Sequence, residues 1–195
     1  MRTVAVFDFD GTLTRRDSVL PFLIEVCGPT RVARAVAASS PWLAHAVVDD
    51  RRRDVAKAKL LRSTLAGRSD AEVREIGRRF ADKTVADRLR SDAPERIAWH
   101  RDQGHELVLV SASLTHYLDP VAERLGFHAV LASELEVGPD GRLTGELLGA
   151  NVRGPEKVER LDRWLADDTH AFVWAYGDSA GDRELLARAD RGQKV

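Results

Sequence analysis

Short apolar runs alternate with longer segments of helical periodicity along this chain of 195 residues. The first run, residues 3–9, is rich in β-branched and aromatic side chains and predicts a buried strand. Similar runs predict strands at 106–110, 127–132 and 171–176, and helical patterns occupy 94–103, 116–125, 155–166 and 180–189. This alternation predicts an α/β fold with a Rossmann-like parallel sheet and helices on both faces.

The segment from Asp17 to about Arg90 is helical in pattern throughout and interrupts the alternation. Breaks are expected at Gly28-Pro29, at Ser39-Ser40-Pro41, where Pro41 suits a first helical turn, and at Gly67. We therefore predict a core formed by 1–14 and 91–195, with an all-helical cap domain formed by 15–90. A Gly-Pro-Asp-Gly turn at 138–141 also predicts a hairpin.

Charge separates the same two parts of the chain, although the net charge is only −1. Residues 14–90 carry 17 Lys and Arg against 10 Asp and Glu, a net charge of +7, so the remainder carries −8. No apolar run reaches the ~18–20 residues of a membrane span, the N-terminus does not resemble a signal peptide, and Cys27 is the single cysteine. We expect a cytoplasmic protein without stable membrane insertion or a nucleic-acid partner.

Polar side chains follow several of the predicted strands. Asp8 and Asp10 end the first strand and Ser111 the second, with residues 111–113 closing that strand, while Asp178 and Asp182 follow the last. Lys157 begins the preceding helix. The carboxyl ends of parallel strands meet at one edge of a sheet. Clustered carboxylates there require a hard cation, most simply Mg²⁺, and the hydroxyl and ammonium groups suit phosphate oxygens. The set predicts metal-assisted phosphoryl transfer.

These residues lie in four motifs that closely resemble those of the haloacid dehalogenase superfamily, in the same order. They are Asp-Phe-Asp-Gly-Thr-Leu-Thr at 8–14, Ser-Ala-Ser at 111–113, Lys157, and Gly-Asp-Ser-Ala-Gly-Asp at 177–182. The helical insertion after the first motif resembles the cap of the phosphoserine-phosphatase-like branch. The resemblance implies a phosphatase in which Asp8 is the nucleophile, forming an aspartyl-phosphate. Asp10 would protonate the leaving oxygen and then deprotonate water.

The resemblance also implies the ligands of metal and phosphate. Mg²⁺ would bind the carboxylates of Asp8 and Asp178 and the backbone carbonyl of Asp10, with Asp182 a further ligand or an anchor. The phosphoryl oxygens would be held by Lys157, by the Ser111-Ala112 segment, and by the backbone amides of Gly11 and Thr12.

The substrate is less well defined by the sequence. Asp17 stands where phosphoserine-specific members carry a Glu that meets the substrate amine, although it also suits a helix N-cap. Arg53 and Lys57, four positions apart in a basic run, would share a helix face, and either is a candidate for an anionic substrate group. We expect a small anionic phosphomonoester such as phosphoserine. The apolar stretch 32–48 is expected to pack inside the cap. As an interfacial patch it would instead favour a phospholipid head group, and a lipid-phosphate phosphatase is therefore the alternative.

Two other expectations follow from the same motifs. A receiver-like phosphorylation module also combines acidic residues, a hydroxyl and a lysine, but such modules lack the large insertion and the second aspartate. The family usually continues past the fourth motif into another strand, whereas residues 191–195 read Arg-Gly-Gln-Lys-Val. We therefore expect the last predicted strand to have an unpaired edge. The oligomeric state is left open.

Overall fold

The computed structural model describes residues 2–43, 50–166, 168 and 170–195, with the side chains of 39–43 and 50–52 outside the description. Five strands form one parallel sheet in the order β3-β2-β1-β6-β7. They are β1 (Thr3–Phe7), β2 (Glu106–Leu114), β3 (Ala129–Ser133), β6 (Phe172–Gly177) and β7 (Arg191–Lys194). A separate antiparallel hairpin joins β4 (Leu135–Val137) to β5 (Leu143–Leu147). The predicted α/β class is confirmed.

Eight helices accompany the strands within the described residues. They are α1 (Val19–Cys27), α2 (Pro29–Leu43), α3 (Asp50–Leu65), α4 (Asp70–Asp87), α5 (Ala93–Asp102), α6 (Thr115–Leu125), α7 (Pro155–Leu165) and α8 (Arg183–Arg188), the last preceded by a 3-10 turn at Ala180–Asp182. The first four fall in the long helical insertion. Ser69 caps α4, its hydroxyl accepting from the Glu72 amide at 3.4 Å.

The core lies on both faces of the sheet because successive side chains of a strand point to opposite sides. In β1, Ala5 and Phe7 join one apolar cluster, which includes side chains of α1, α4 and α6. Val4 and Val6 join a second cluster, which includes side chains of α7 and α8. All four side chains are fully buried. The central strand is therefore covered on both sides, and its carboxyl end opens toward the insertion.

Close contacts join the helical insertion to α6, one of the helices that cover the sheet. The Phe22 ring of α1 lies 5.4 Å from Phe80 of α4 and 4.7 Å from Tyr117 of α6, measured between ring centroids. A Cβ at Gly77 of α4 would lie 2.0 Å from the His116 carbonyl oxygen. The absence of a side chain at Gly77 thus permits α4 to lie directly against α6.

Two boundary predictions are wrong. No helix break occurs at Ser39-Ser40-Pro41, because α2 continues to Leu43. A proline removes one backbone hydrogen bond from a helix, and here the helical backbone persists beyond it. Likewise, β2 does not end at 111–113 but reaches Leu114, with its register to β3 shifted after Ser111.

The apolar stretch 32–48 is described only in part. Val32 and Ala35 are buried, whereas residues 44–48 lie outside the described residues.

The expectation of an unpaired edge on the last predicted strand is also wrong. Residues 191–194 form β7, which pairs in parallel with β6 from Trp174–Arg191 to Gly177–Lys194. All four β7 residues are exposed and none is apolar beyond glycine, so the segment lacks the hydrophobic pattern by which strands are predicted. A Cβ at Gly192 would lie 2.3 Å from the Leu186 carbonyl oxygen, so this strand lies directly against α8.

Candidate active site

The loop after β1 places two aspartates at the carboxyl edge of the sheet. The Asp8 amide donates to the Tyr176 carbonyl of β6 at 3.0 Å, and the Phe9 carbonyl accepts from the Leu13 and Thr14 amides at 2.9 and 3.0 Å. Gly11 turns the chain at φ +82°, and a Cβ there would lie 2.2 Å from Asp178 Oδ2. Glycine is therefore required both by the backbone conformation and by the closeness of the Asp178 carboxylate.

A buried lysine joins two of the carboxylates. Lys157 Nζ donates to Asp8 Oδ1 at 2.5 Å and to Asp182 Oδ1 at 2.6 Å. Burial acts to lower the pKa of Lys157, but the charges of Asp8 and Asp182 raise it above its ordinary value. Burial raises the pKa of Asp8 to about 6 although Lys157 opposes the shift. Burial acts to raise the pKa of Asp182 as well, but the Lys157 ammonium and hydrogen bonds from Ser179 hold that pKa below its ordinary value.

Asp8, Asp178 and Asp182 each offer a carboxylate oxygen, and these oxygens lie within 4.8 Å of one another. Asp178 Oδ1 is buried and has no hydrogen-bond partner among the described residues, and burial, with the charge of Asp182, raises the pKa of Asp178. An all-oxygen set with an unpartnered buried carboxylate oxygen fits Mg²⁺. Asp182 differs from the other two, because its Oδ2 already accepts from the Ser179 amide at 3.0 Å and hydroxyl at 2.7 Å.

Asp10 occupies a different environment from Asp8. Its Oδ2 accepts from the Ser113 hydroxyl at 2.5 Å, and its Oδ1 is buried without a partner in the described part of the chain. Burial, and next the charge of Asp17, raises the pKa of Asp10 to about 7. A carboxyl group with such a pKa can donate and accept a proton near neutral pH.

The other proposed phosphate-binding residues surround the same edge. The Thr12 hydroxyl donates to Asp8 Oδ2 at 3.3 Å. Ser111 is buried, and its Oγ accepts from the Ser113 amide at 3.1 Å. Ala112 and Asp10 both line a cavity of about 350 Å³. The strand order puts β2 directly beside β1, which brings Ser111 and Ala112 to the loop that carries the aspartates.

The substrate-binding candidates of the insertion all line this cavity, namely Asp17, Arg53 and Lys57. Asp17 Oδ1 accepts from the Leu20 amide at 3.2 Å, so it bonds to the first turn of α1. Arg53 is exposed on α3.

Sequence reasoning missed several polar residues of the site. The hydroxyl of Ser113, the second serine of the Ser-Ala-Ser motif, donates to Asp10. Ser18 Oγ lies 3.3 Å from Ser113 Oγ and 2.8 Å from the Tyr117 hydroxyl, which continues the chain of hydrogen bonds into the core. No local pattern marks Ser18 or Tyr117, because their contacts span about a hundred residues of sequence.

A second group of polar residues, centred on the substrate-binding candidate Lys57, links the insertion to the core. Lys57 Nζ of α3 donates to the Ala112 carbonyl and to Asn151 Oδ1, both at 2.5 Å. Asn151 Nδ2 in turn donates to Asp54 Oδ1 at 2.7 Å. Burial lowers the pKa of Lys57 to about 8. The three-residue spacing of Asp54 and Lys57 on one helix was available from the sequence, but no signal marked Asn151.

Comparison with known proteins assigns this architecture to a family. The family model of the haloacid dehalogenase-like hydrolases matches residues 5–187. Protein CicA of Caulobacter vibrioides is 38% identical over 193 residues, which cover 98% of this chain and 86% of the relative. A histidinol-phosphatase of Neisseria meningitidis is 26% identical over 194 residues, covering 95% and 86% of the two chains.

A solved structure of a phosphoserine phosphatase, described as a phospho-aspartyl intermediate analogue, shares the fold. Its TM-score is 0.66 at 21% identity, over 99% of this chain and 85% of that one. The chain thus has a parallel sheet with acidic residues at its carboxyl edge, and the family model of these hydrolases matches most of its length. The chain belongs to the haloacid dehalogenase-like hydrolase family, and it is an enzyme. Among the helices of the described residues, none combines the length and apolar character that a membrane span requires.

Proposed function

We propose that the protein is a Mg²⁺-dependent phosphomonoester hydrolase that acts through an aspartyl-phosphate on Asp8. The observation that carries this proposal is the buried Lys157 ammonium between Asp8 and Asp182, beside an Asp178 oxygen that has no partner among the residues described. A phosphoryl group needs neutralising charge on its oxygens and an oriented nucleophile, and this arrangement supplies both. The family match is to hydrolases, so it gives no support to the receiver-like module.

The residues divide the reaction into two steps. In the first, a carboxylate oxygen of Asp8 attacks phosphorus, the bond from phosphorus to the ester oxygen breaks, and Asp10 gives its proton to the departing alcohol. In the second, a water molecule attacks the aspartyl-phosphate while Asp10 takes the proton back, releasing phosphate and restoring Asp8. The Ser113 hydroxyl orients Asp10 for both transfers.

Charge compensation comes from the metal and from Lys157. When bound, Mg²⁺ would offset the negative charge of the carboxylates and the phosphoryl oxygens, held by Asp8, Asp178 and the backbone carbonyl of Asp10. Asp182 acts as an anchor in this proposal, because its two oxygens already accept from Lys157 and Ser179. Backbone amides at Gly11, Thr12 and Ala112 and the Ser111 hydroxyl contact the phosphoryl oxygens.

The proposed substrate is a small phosphomonoester that enters between core and cap. Residues 15–90 serve as the cap, which covers the sheet edge of the core formed by 1–14 and 91–195. The relative named histidinol-phosphatase supports a small phosphorylated metabolite, and phosphoserine and a phospholipid head group are the substrates that the sequence suggested. We propose a cytoplasmic location, with no nucleic-acid partner.

The test is phosphate release from a set of monoesters in Mg²⁺ or in excess chelator, comparing wild type with Asp8→Asn. A neutral amide cannot attack phosphorus, so we expect Asp8→Asn to lose at least about a thousandfold in kcat. Asp102→Asn is the matched control, because Asp102 is exposed at the end of α5. Turnover by Asp8→Asn, or full activity in chelator, would refute the mechanism. Acid quenching should trap phosphate on a peptide that contains Asp8.

A further inference from the structure

The cavity beside Asp10 has an apolar wall. It measures about 350 Å³, near the lower end of the roughly 300–1,000 Å³ of ligand pockets. Five aliphatic side chains from three helices of the insertion line it, and we refer to them as the apolar wall: Val19, Leu20, Val36, Ala56 and Leu60. Because Asp10 lies in the lining, the group that fills this space is the alcohol part of the ester.

Several polar residues of the same cavity are bonded to one another, and two arginines that also line it, Arg53 and Arg153, have interactions of their own. Lys57 Nζ has two acceptors at 2.5 Å, the Ala112 carbonyl and Asn151 Oδ1. The other end of the Asn151 amide donates to Asp54, and Asp17 accepts from the Leu20 amide. A substrate carboxylate or ammonium group would have to displace these bonds, whereas an apolar group leaves them in place.

We infer that the site selects monophosphate esters of small apolar alcohols, alkyl or aryl, over esters of zwitterionic alcohols such as phosphoserine. This inference rests on the proposed phosphomonoester hydrolase function. The cavity volume of about 350 Å³ corresponds to about a dozen water-sized groups at roughly 30 Å³ each. A short alkyl chain or a single ring therefore fits within this volume.

The first experiment measures kcat/KM for methyl, ethyl, butyl and hexyl phosphate and for phosphoserine. Each buried methylene is expected to raise kcat/KM by up to about fourfold. Phosphoserine is expected to fall at least about tenfold below butyl phosphate, because its charged groups would have to displace the bonds that Lys57, Asn151 and Asp17 already make. A flat dependence on chain length, or a preference for phosphoserine, would overturn the inference.

The second experiment uses two variants of α1 that differ in position relative to the cavity. Leu20 and Ile24 lie one turn apart and are 40% and 43% exposed, but only Leu20 lines the cavity. Leu20→Asn is expected to lower kcat/KM for hexyl phosphate by about fivefold and leave methyl phosphate within about twofold. Ile24→Asn should leave both substrates unchanged. Equal effects of the two variants would contradict the assignment of the apolar wall.

Failure of this inference is distinguishable from failure of the proposed function. Hydrolysis of methyl phosphate without any gain from longer chains would overturn only the inference. If no ester is hydrolysed, the proposed function fails. The cavity is then still tested by calorimetry, which measures how tightly the corresponding alkylphosphonates bind in the presence of Mg²⁺. Affinity that rises from methyl- to hexylphosphonate in wild type, and rises less in Leu20→Asn, would support the apolar site, whereas constant affinity would overturn it.

Discussion

Replacing Gly11 by alanine tests the link between the first loop and the candidate metal site. Gly11 has φ +82°, and its new Cβ would lie 2.2 Å from Asp178 Oδ2 and 2.5 Å from Asp178 Cγ. Both separations are far below van der Waals contact, so the Asp178 carboxylate or the loop must move. Gly11→Ala therefore combines a backbone penalty with a displaced carboxylate.

Gly104→Ala separates these two effects. Gly104 has φ +71°, but no atom lies within 4 Å of the Cβ that alanine would add there, so this variant carries the backbone penalty alone. That penalty is about 1–2 kcal/mol for a left-handed residue. Gly11→Ala should cost a further ~1–3 kcal/mol from overpacking. Urea denaturation of both variants without metal measures the difference.

Metal binding and turnover give the decisive readouts. Displacing Asp178 is expected to weaken Mg²⁺ binding by about 10–100-fold, as is typical when a ligand loses its orientation, with a parallel loss of phosphate release. Gly104→Ala should bind Mg²⁺ and turn over like wild type. If Gly11→Ala matches Gly104→Ala in Mg²⁺ affinity and kcat, Asp178 is not a metal ligand placed by this loop, and the reasoning fails.

Three further changes address the proton donor, the buried lysine and a histidine of the core. Asp10→Asn should reduce kcat at least about a hundredfold on alkyl phosphates and less on an aryl phosphate in the phosphorylation step; equal single-turnover losses would contradict a general-acid role. Lys157→Met should abolish turnover and destabilise the metal-free fold by about 3–5 kcal/mol, because Asp8 and Asp182 lose their buried partner; a smaller loss in urea denaturation at pH 7.5 would refute this. Burial, then the charge of a neighbouring histidine, lowers the pKa of His100 to about 4 from its ordinary 6.5. As the pH falls, the unfolded chain therefore takes up a proton before the folded protein does. The free energy of unfolding should fall as pH drops from 6.5 toward 4, by up to about 3 kcal/mol. His100→Gln should show a shallower fall in the free energy of unfolding over this range, and an unchanged slope would count against the assignment.

Much of the sheet could be predicted from local sequence. The strands β1, β2, β3 and β6 are apolar because both faces of a parallel sheet are buried, and such runs are visible in the sequence. Their alternation with helices indicated the parallel arrangement. β7 was not predicted, because Arg191–Lys194 pair with β6 through backbone groups and carry no apolar pattern.

The sequence by itself indicated which chemical groups stand at the carboxyl edge, because Asp8, Asp10 and Asp178 follow strands and Lys157 occurs in the expected order among the motifs. Only the tertiary structure decided how those groups are paired. Ser113 bonds to Asp10 across 103 positions, and Lys57 bonds to Asn151 across 94. Such contacts depend on how helices of the insertion pack over the sheet, and one residue's identity says little about a partner so distant in the chain. The same packing created the apolar wall beside Asp10, since its side chains come from separate helices that meet only in the folded protein.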